Sequence, residues 1–388
     1  DFLDGQEAVI GDILSGQDGS VVMPTGGGKS LCYQLPALCR EGVTLVVSPL
    51  IALMKDQVDA LVERDVAVTL INSTLSWAEQ KERLDGMRRG DYRLVYIAPE
   101  RFKASSFMDA LKDVSIEMVA IDEAHCLSQW GHDFRPDYMR LGKALEALGR
   151  PQCVALTATA TPIVREDIRK VLQLREPFEN ISGFERPNLS FTVTAVEKVA
   201  QKYARLQKVL KAHKTGIVYC ATRKKVDEVA ETIHSWGLKC VAYHGGMSDQ
   251  EREDTQNTFI SKKADIAVAT NAFGMGIDRS DVRFVVHFEI PGSVEAYYQE
   301  AGRAGRDGEA AFCELLFNYA DTRTQEFFID GVNPGAGMIR DVYQYFLNHA
   351  DENFETHETL DQIKEAIGAK NGMAIGAALG SLLRGRWI

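Results

Sequence analysis

The stretch MPTGGGKS, Met23 to Ser30, decides the fold of this chain. Two valines precede it and the helix-like LCYQLPALC follows it, so the local order is strand, loop and helix. Such a loop can bind phosphate, because glycines let backbone N–H groups approach the ligand and the new helix places its positive N-terminus there. The residues that we expect to hold a nucleoside triphosphate are Thr25, Gly26, Gly27, Gly28, Lys29 and Ser30.

A second motif, IDEAH, follows the run IEMVAI, which has the composition of a buried strand. Carboxylates at a strand end beside a phosphate loop have a defined chemistry. Asp122 would share Mg²⁺ with Ser30, and Glu123 would polarise the attacking water. Each motif alone also fits an ordinary polar turn. Together, with Lys29 to meet the β and γ phosphates, they predict hydrolysis of a nucleoside triphosphate.

Length and composition describe a globular protein with several domains. The chain has 388 residues, of which 45% are hydrophobic and 26% are charged. Its formal net charge of −11 gives no overall attraction to nucleic acid, so such binding requires a local basic groove. We see no targeting signal or membrane-spanning run. We therefore expect the protein in the cytoplasm, associated with the nucleoid, if it is bacterial, and otherwise in the nucleus. We expect five cysteines to be small buried hydrophobes in a reducing compartment: Cys32, Cys39, Cys153, Cys220 and Cys240.

Strand-like and helix-like segments alternate up to about Asn318, which is typical of parallel sheets covered on both faces. The first half contains SVVMP, TLVVSP, VTLIN, RLVYIAP, MVAIDE and CVALTAT, and the second half contains LSFTVT, GIVYC, CVAYHG, DIAVAT, RFVVHF and CELLF. Residues 175–188 carry two prolines and a glycine and predict a linker. We therefore predict two α/β domains, residues 1–180 and 181–332, of which the first alone has a phosphate loop. The second domain would complete the site across a cleft.

Residues 333–388 change pattern and predict three helices, at 338–350, 356–370 and 373–386, with a strand beginning at 386–388. This order fits a winged-helix-like module, and a helical packing lid is the alternative. The positions that we expect to be buried are Ile339, Val342, Tyr345, Phe346, Ile363, Ile367, Leu379, Leu382 and Leu383.

The segment AYYQEAGRAGRDG, Ala296 to Gly308, lies in the domain without a phosphate loop. Its Gln299, Arg303 and Arg306 are spaced as one face of a helix. Arginines on such a face can reach across the cleft and stabilise charge in the transition state of phosphoryl transfer. A solvated basic helix end is the alternative interpretation. We predict that all three residues contribute to catalysis.

The segment that follows IDEAH is rich in aromatic and cationic residues. Aromatic faces stack on bases, and arginine neutralises phosphates, so a loop of this composition beside the catalytic carboxylates can couple DNA binding to hydrolysis. A Trp–Phe pair that fixes the loop to its own domain is the alternative. The residues that we expect to couple DNA to hydrolysis are His125, Ser128, Trp130, His132, Phe134 and Arg135.

From Phe2 to about Asn318 the chain resembles the RecQ family of superfamily 2 DNA helicases. MPTGGGKS resembles motif I, SPLIALMKDQ motif Ia, DEAH motif II, SQWGHDFRP the aromatic-rich loop, LTATAT motif III, IVYCATR motif IV, TNAFGMGID motif V and QEAGRAGRDG motif VI. The resemblance implies two RecA-like domains and a monomeric, Mg-ATP-driven translocase. It also implies 3′-to-5′ movement on single-stranded DNA and unwinding of tailed or forked duplexes.

The resemblance also implies that Gln6 contacts the adenine. The family pattern there is Phe-Arg-x-x-Gln, whereas this chain has Phe2-Leu3-Asp4-Gly5-Gln6, which puts one adenine contact in doubt. Family members usually carry a four-cysteine zinc module after the second domain. Here Cys313 is the last cysteine of the sequence, so we expect no zinc. The cofactors that we expect are ATP and Mg²⁺.

Two other functions stay open at this point. The first is an RNA helicase or a duplex translocase that does not unwind, which a comparison of DNA with RNA stimulation would distinguish. The second is a non-catalytic DNA-binding scaffold, which any ATP turnover would exclude. The aromatic loop favours DNA, and the intact set of catalytic residues favours an enzyme.

Overall fold

The computed structural model describes residues 2–131, 133–183, 185–274, 279–351, 355–385 and 387–388, without the side chain of Ala52. The predicted DNA-coupling residue His132 lies outside these residues. So do parts of three predicted segments: the end of TNAFGMGID at 275–278, Phe184 of the linker, and Arg386 of the expected final strand.

The first domain is built on a parallel sheet with seven strands among the described residues, in the order β3-β4-β2-β5-β6-β1-β7. Its inner strands are buried along most of their length, because helices cover both faces and form two apolar cores. All six predicted strands are confirmed. The strands are β1 Gly19–Val22, β2 Val43–Val47, β3 Val68–Ile71, β4 Leu94–Ile97, β5 Ile116–Ile121, β6 Gln152–Thr157 and β7 Phe178–Ile181. The helices are α1 Gln6–Leu14, α2 Lys29–Leu38, α3 Ile51–Val62, α4 Trp77–Arg89, α5 Ser105–Leu111, α6 Leu141–Ala147 and α7 Pro162–Leu172.

The strand β7 corrects the prediction that residues 175–188 are wholly linker. It pairs in parallel with β1, from Gly19 opposite Phe178 to Val22 opposite Ile181. The Phe178 ring fills the space beside Gly19, where a side chain would otherwise stand. The first sheet thus extends one residue past the predicted boundary at 180. The division into units 1–180, 181–332 and 333–388 stays a prediction.

The second domain repeats the architecture with a parallel sheet of six strands among the described residues, in the order β10-β11-β9-β12-β13-β8. All six predicted strands are confirmed. They are β8 Leu189–Ala195, β9 Gly216–Tyr219, β10 Cys240–Tyr243, β11 Ile266–Ala269, β12 Phe284–His287 and β13 Ala311–Phe317. The helices of this domain are α8 Val199–Ala212, α9 Arg223–Ser235, α10 Asp249–Ile260 and α11 Val294–Ala301.

Four helices follow the second sheet in the described residues: α12 Thr322–Val332, α13 Ala336–His349, α14 Leu360–Ala366 and α15 Gly372–Arg384. The last three share an apolar core around Val342, Ile363 and Ile375. Most predicted core positions are buried or half-buried there, but Leu383 is 61% exposed and its prediction was wrong. The prediction of a strand at residues 386–388 was also wrong for Trp387 and Ile388, which have no regular secondary structure.

The helix α15 packs against α12. This contact joins the terminal helices to the helix that follows the second sheet. The Asn371 side chain caps α15 and donates a hydrogen bond of 2.9 Å to the Phe327 carbonyl oxygen. Gly331 leaves room for Asn371 and Met373, since a side chain there would collide with both. The N-terminal end of α15 therefore faces α12.

The cysteines follow the prediction with one exception. All seven are described and free, and six of them are buried. Cys39 is exposed at the end of α2, so its predicted burial was wrong. No helix among the described residues combines the length and apolar character needed to span a membrane.

The terminal helices offer a test of their core. Because Ile375 is fully buried, Ile375→Ala should leave a cavity and lower the free energy of unfolding of these helices by about 2–5 kcal/mol. Exposed Leu383→Ala should change it by less than about 0.5 kcal/mol. Pulse proteolysis in urea, scored by loss of the C-terminal fragment, measures both. Equal effects of the two substitutions would contradict this packing.

Candidate active site and nucleic-acid interface

The phosphate loop connects β1 to α2 at the carboxyl edge of the first sheet. Gly26 and Gly28 adopt φ values of +82° and +71°, a region that side-chain-bearing residues rarely enter. Gly28 is the N-cap of α2, so the unpaired backbone N–H groups of the first helical turn lie at the end of the loop. This geometry fits the phosphates of a nucleotide.

Lys29 begins α2, and its side chain turns back into the loop. Its ammonium group donates hydrogen bonds to the carbonyl oxygens of Met23 and Pro24, at 3.2 and 3.3 Å. Burial lowers the pKa of Lys29, while the carboxylates of Glu123 and Asp122 act in the opposite direction. The predicted lysine and carboxylates therefore lie within electrostatic reach of one another.

Gln6 ties the start of the chain to the phosphate loop. Its side-chain N–H₂ donates to the Gly28 carbonyl oxygen at 3.1 Å, and its oxygen accepts from the Leu3 backbone N–H at 2.8 Å. The side chain is buried. In this structure Gln6 supports the loop, and its contact with adenine stays a prediction.

The two carboxylates follow β5 directly. Asp122 is buried, and its Oδ1 accepts from the Glu123 backbone N–H at 2.9 Å. Burial, together with the adjacent Glu123 carboxylate, raises the pKa of Asp122 well above its usual range. Glu123 itself has a φ of +48°, a costly conformation that turns its side chain out of the strand direction. Two carboxylates that are costly to ionise together suit a site completed by a cation, and their oxygen atoms suit Mg²⁺.

A chain of polar contacts leads from these carboxylates to the second domain. The His125 Nδ1 atom lies 3.3 Å from Glu123 Oε2 and 2.9 Å from Thr157 Oγ1. The Thr157 hydroxyl donates to the Thr159 carbonyl oxygen at 3.1 Å. Gln299 of the second domain donates to the Thr159 hydroxyl at 3.4 Å. His125 is buried, so it does not face solvent.

The predicted arginine pair occupies two different environments. The helix α11 ends at Ala301, so the expectation that Gln299, Arg303 and Arg306 share one helix face was wrong. Gly302 is the C-cap of the helix, and Gly305, with a φ of +56°, turns the chain before Arg306.

Arg303 is buried within the second domain, where it donates to the Gly274 carbonyl oxygen and bonds the Tyr219 hydroxyl. Arg306 instead lies beside the phosphate loop: a side chain added at Gly26 would stand 3.6 Å from Arg306 Cγ. Its charge also contributes to the lowered pKa of Lys29, behind burial. Arg306 therefore faces the cleft.

Sequence reasoning missed Arg186, which contacts both domains from the linker. Its guanidinium donates to the Thr25 carbonyl oxygen at 2.7 Å and to the carbonyl oxygens of Ala304 and Gly305 at 2.9 Å each. The available signal was an arginine followed by Pro187 in a segment already assigned to the domain boundary. Most of its hydrogen bonds go to backbone carbonyl groups, which leave no trace in residue type.

The aromatic loop is anchored at both ends and exposed at its tip. The Ser128 hydroxyl donates to Asp167 of α7 at 2.6 Å and accepts from the Trp130 backbone N–H. Arg135 pairs with Asp133 and donates to the Pro49 carbonyl oxygen at 2.7 Å. Trp130 is 74% exposed, which argues against the alternative that it fixes the loop by packing.

A basic groove opens at the carboxyl edge of the second sheet, and sequence reasoning missed it. The loops after β9, β10 and β11 and one side of α12 enclose a cavity of about 710 Å³. Arg223, Lys224 and Arg323 line it beside Phe327 and Phe328. The three cations form no ion pair with any described residue, so they keep their charge for a ligand.

One acidic cluster could hold a cation among the described residues. Ligand atoms of Asp351, Glu355 and His357 lie within 4.8 Å of one another, and all three residues are exposed. Structural zinc sites use about four Cys or His ligands, which this cluster does not supply. The expectation that this chain holds no zinc stays a prediction.

Comparisons with known proteins match both domains. Residues 4–168 match the DEAD/DEAH box helicase family, and residues 201–308 match the helicase conserved C-terminal domain. The chain is 47% identical over 334 residues to the ATP-dependent DNA helicase RecQ of Bacillus subtilis, covering 85% of this chain and 56% of that protein. It is 42% identical over 344 residues to the probable ATP-dependent DNA helicase RecS of the same organism, covering 88% of this chain and 69% of that protein.

Solved structures show the same fold at lower identity. Helicase Lhr of Mycobacterium smegmatis, bound to ssDNA and AMP-PNP, aligns with 98% of this chain and 55% of its own at a TM-score of 0.67 and 20% identity. The chain spans about half the length of B. subtilis RecQ. The chain is similar in sequence to RecQ and RecS, and both of its parallel-sheet domains match helicase domains. It therefore belongs to the RecQ family of helicases.

Proposed function

We propose that this chain is the core of an ATP-dependent DNA helicase, which moves 3′-to-5′ on single-stranded DNA and separates duplexes. The observation that carries the proposal is the position of Arg306, a second-domain residue beside the phosphate loop of the first domain. A site composed of two domains makes hydrolysis depend on their relative position, which is what a motor requires. The relatives named as ATP-dependent DNA helicases support the choice of substrate.

The chemistry follows from the residues at the cleft. The loop N–H groups and Lys29 would hold the β and γ phosphates, and Ser30 with Asp122 would hold Mg²⁺. When bound, Mg²⁺ would supply positive charge that offsets the negative charge of the phosphates. Glu123 would orient a water molecule and accept its proton as the water oxygen bonds to the γ phosphorus. The bond between the γ phosphorus and the β-γ bridging oxygen would break in the same step, and ADP would leave. Arg306 would stabilise the charge that develops on the transferred phosphoryl group.

DNA would reach this site by two routes. The exposed Trp130 would contact bases, and its loop connects through Ser128 and the neighbouring His125 to the carboxylates. The contact between Gln299 and Thr159 would transmit movement of the second domain to the same residues. The basic groove beside Phe327 would hold the strand by its phosphates and bases.

The alternatives are less well supported. An RNA helicase or a non-unwinding translocase would use the same cleft, but the relatives are named for DNA. A non-catalytic scaffold would not need Lys29, both carboxylates and a cleft-facing Arg306. We further propose that the chain acts as a monomer on single-stranded and tailed or forked duplex DNA, in the cytoplasm of a bacterium or in a nucleus.

Unwinding assays test the proposal directly. With Mg-ATP, the protein should separate duplexes that carry a 3′ single-stranded tail and leave 5′-tailed duplexes paired. Lys29→Ala should abolish this, and Arg306→Ala should reduce turnover by about 10³–10⁵ because it removes a transition-state contact. Lys112→Ala, which breaks only an exposed ion pair with Asp109, should leave both duplex unwinding and ATP turnover unchanged. Stimulation by RNA instead of DNA, or normal turnover in the Arg306 variant, would refute the proposal.

Trp130→Ala should separate DNA binding from its coupling to hydrolysis. We expect single-stranded DNA affinity to change by severalfold at most, while stimulation of the ATPase by that DNA is largely lost. Trp77→Ala is a matched control, because Trp77 is also highly exposed, at 76%, on α4 of the same domain. Fluorescence anisotropy and phosphate release measure the two properties. An unchanged stimulation in the Trp130 variant would assign this residue no coupling role.

DNA affinity should depend strongly on salt despite the net charge of −11. Each single-strand phosphate that the protein no longer neutralises should reduce the log–log slope by about 0.7, since fewer counterions are released. Arg223→Ala combined with Arg323→Ala should therefore flatten the slope. The control removes the same charge from α8, with Lys208→Ala and Lys211→Ala, and should leave the slope unchanged. Equal slopes in all three proteins would place the DNA elsewhere.

A further inference from the structure

The linker residue Arg186 lies where the chain passes from β7 of the first sheet to β8 of the second. Its Nη1 atom donates to the Thr25 carbonyl oxygen at 2.7 Å and to the Gly302 carbonyl oxygen at 3.2 Å. Its Nη2 atom donates to the carbonyl oxygens of Ala304 and Gly305, both at 2.9 Å. One side chain thus joins the phosphate loop to the turn that carries the second-domain arginines.

The bonds of Arg186 are divided unequally between the domains. The bond to Thr25 crosses the cleft. The bonds to the three other backbone carbonyl groups, and a bond of 3.4 Å from Nε to the Asn188 side-chain oxygen, stay in the second domain. Asn188 fixes the same turn, because its side-chain N–H₂ donates to the carbonyl oxygens of Gly305 and Glu309 at 2.8 and 2.9 Å. Arg186 is therefore anchored in the second domain and reaches the first through a single carbonyl group.

The arrangement requires a guanidinium. Its planar fork presents donors in fixed directions, which matches carbonyl groups on both sides, whereas an ammonium group concentrates its three donors at one point. The partners are neutral carbonyl groups, and the described residues place no carboxylate in an ion pair with Arg186. Burial lowers the pKa of Arg186, consistent with a cation held by dipoles alone.

Arg186 and Arg306 approach the same point of the phosphate loop. A side chain added at Gly26 would stand 3.4 Å from Arg186 Nη1 and 3.6 Å from Arg306 Cγ. Thr25, which accepts the cross-cleft bond, directly precedes Gly26. Arg186 therefore contacts the phosphate loop next to the point that Arg306 faces.

We propose that Arg186 is a positioning residue, which fixes the phosphate loop against the second-domain turn and so sets the place of Arg306 relative to the transferred phosphoryl group. This inference rests on the proposed function. Opening of the cleft would break the bond to Thr25 and carry Arg186 away with the second domain. Hydrolysis is then competent only in the arrangement in which that bond is made.

Steady-state kinetics of the DNA-stimulated ATPase test the proposal with Arg186→Lys and Arg186→Ala. We expect kcat to fall by at least about tenfold in both, because a displacement of about 1 Å at a catalytic group has effects of this size. KM for ATP and the affinity for a fluorescent ATP analogue should stay within severalfold, and lysine should not rescue. Should Arg186→Ala not fold, as judged by its thermal unfolding midpoint, the comparison with Arg186→Lys carries the test.

Arg175→Ala is the matched control from the same linker. Arg175 pairs with Asp18 at 3.2 Å within the first domain and does not contact the cleft turn in the described residues. Its replacement should lower the thermal unfolding midpoint and leave kcat unchanged. A role of Arg186 in stability alone would give it the same behaviour as Arg175, and the proposal would be wrong.

A double-mutant cycle with Arg306→Ala distinguishes positioning from an independent contribution. If Arg186 acts through Arg306, the double variant should have the same kcat as Arg306→Ala alone. Losses that multiply would overturn the inference while leaving the proposed function intact, as would a wild-type kcat in Arg186→Lys. Absence of ATP turnover in the unmodified chain would overturn the proposed function and this inference with it.

Discussion

The parallel pairing of β1 with β6 and β7 is the constraint on which the rest of the site depends. It buries β1 completely and aligns its carboxyl end with that of β6, while β6 pairs in turn with β5. The loops that leave these strands must therefore meet at one edge of the sheet. The phosphate loop, the carboxylates after Ile121 and the threonines after Leu156 come together because their strands are neighbours. A change of register in β1 would separate them.

The sequence was sufficient for features that are local in the chain. Each buried strand and each motif at a strand end could be recognised from consecutive residues, because burial on both faces leaves a continuous apolar run. The strand β7 was missed because it is an edge strand with alternating burial, within a segment rich in turn residues. Arg303 and Arg306 were placed on a helix because their spacing fits one, whereas the helix ends at Ala301 and the chain turns at Gly305.

Features that depend on tertiary contacts could not be read from the chain. Arg186 bonds to carbonyl groups more than one hundred residues away, which any residue type could supply. The basic groove gathers Arg223 and Lys224 from the first turn of α9 and Arg323 from α12. Their summed charge is not visible in the net charge of −11 of the whole chain. The positive charge of this groove is a local property of one edge of one sheet.

The helix α12 contacts both the basic groove and the terminal helices. Phe327 lines the basic groove with its side chain, while its carbonyl oxygen accepts the hydrogen bond from Asn371 that caps α15. A ligand that shifts α12 therefore pulls on the terminal helices, and strain applied to those helices reaches the groove wall. The terminal helices thus support the helix that forms one wall of the basic groove. A shortened protein that ends at Pro334 would keep every residue that lines the groove and lose the three helices α13 to α15, including the Asn371 contact with α12.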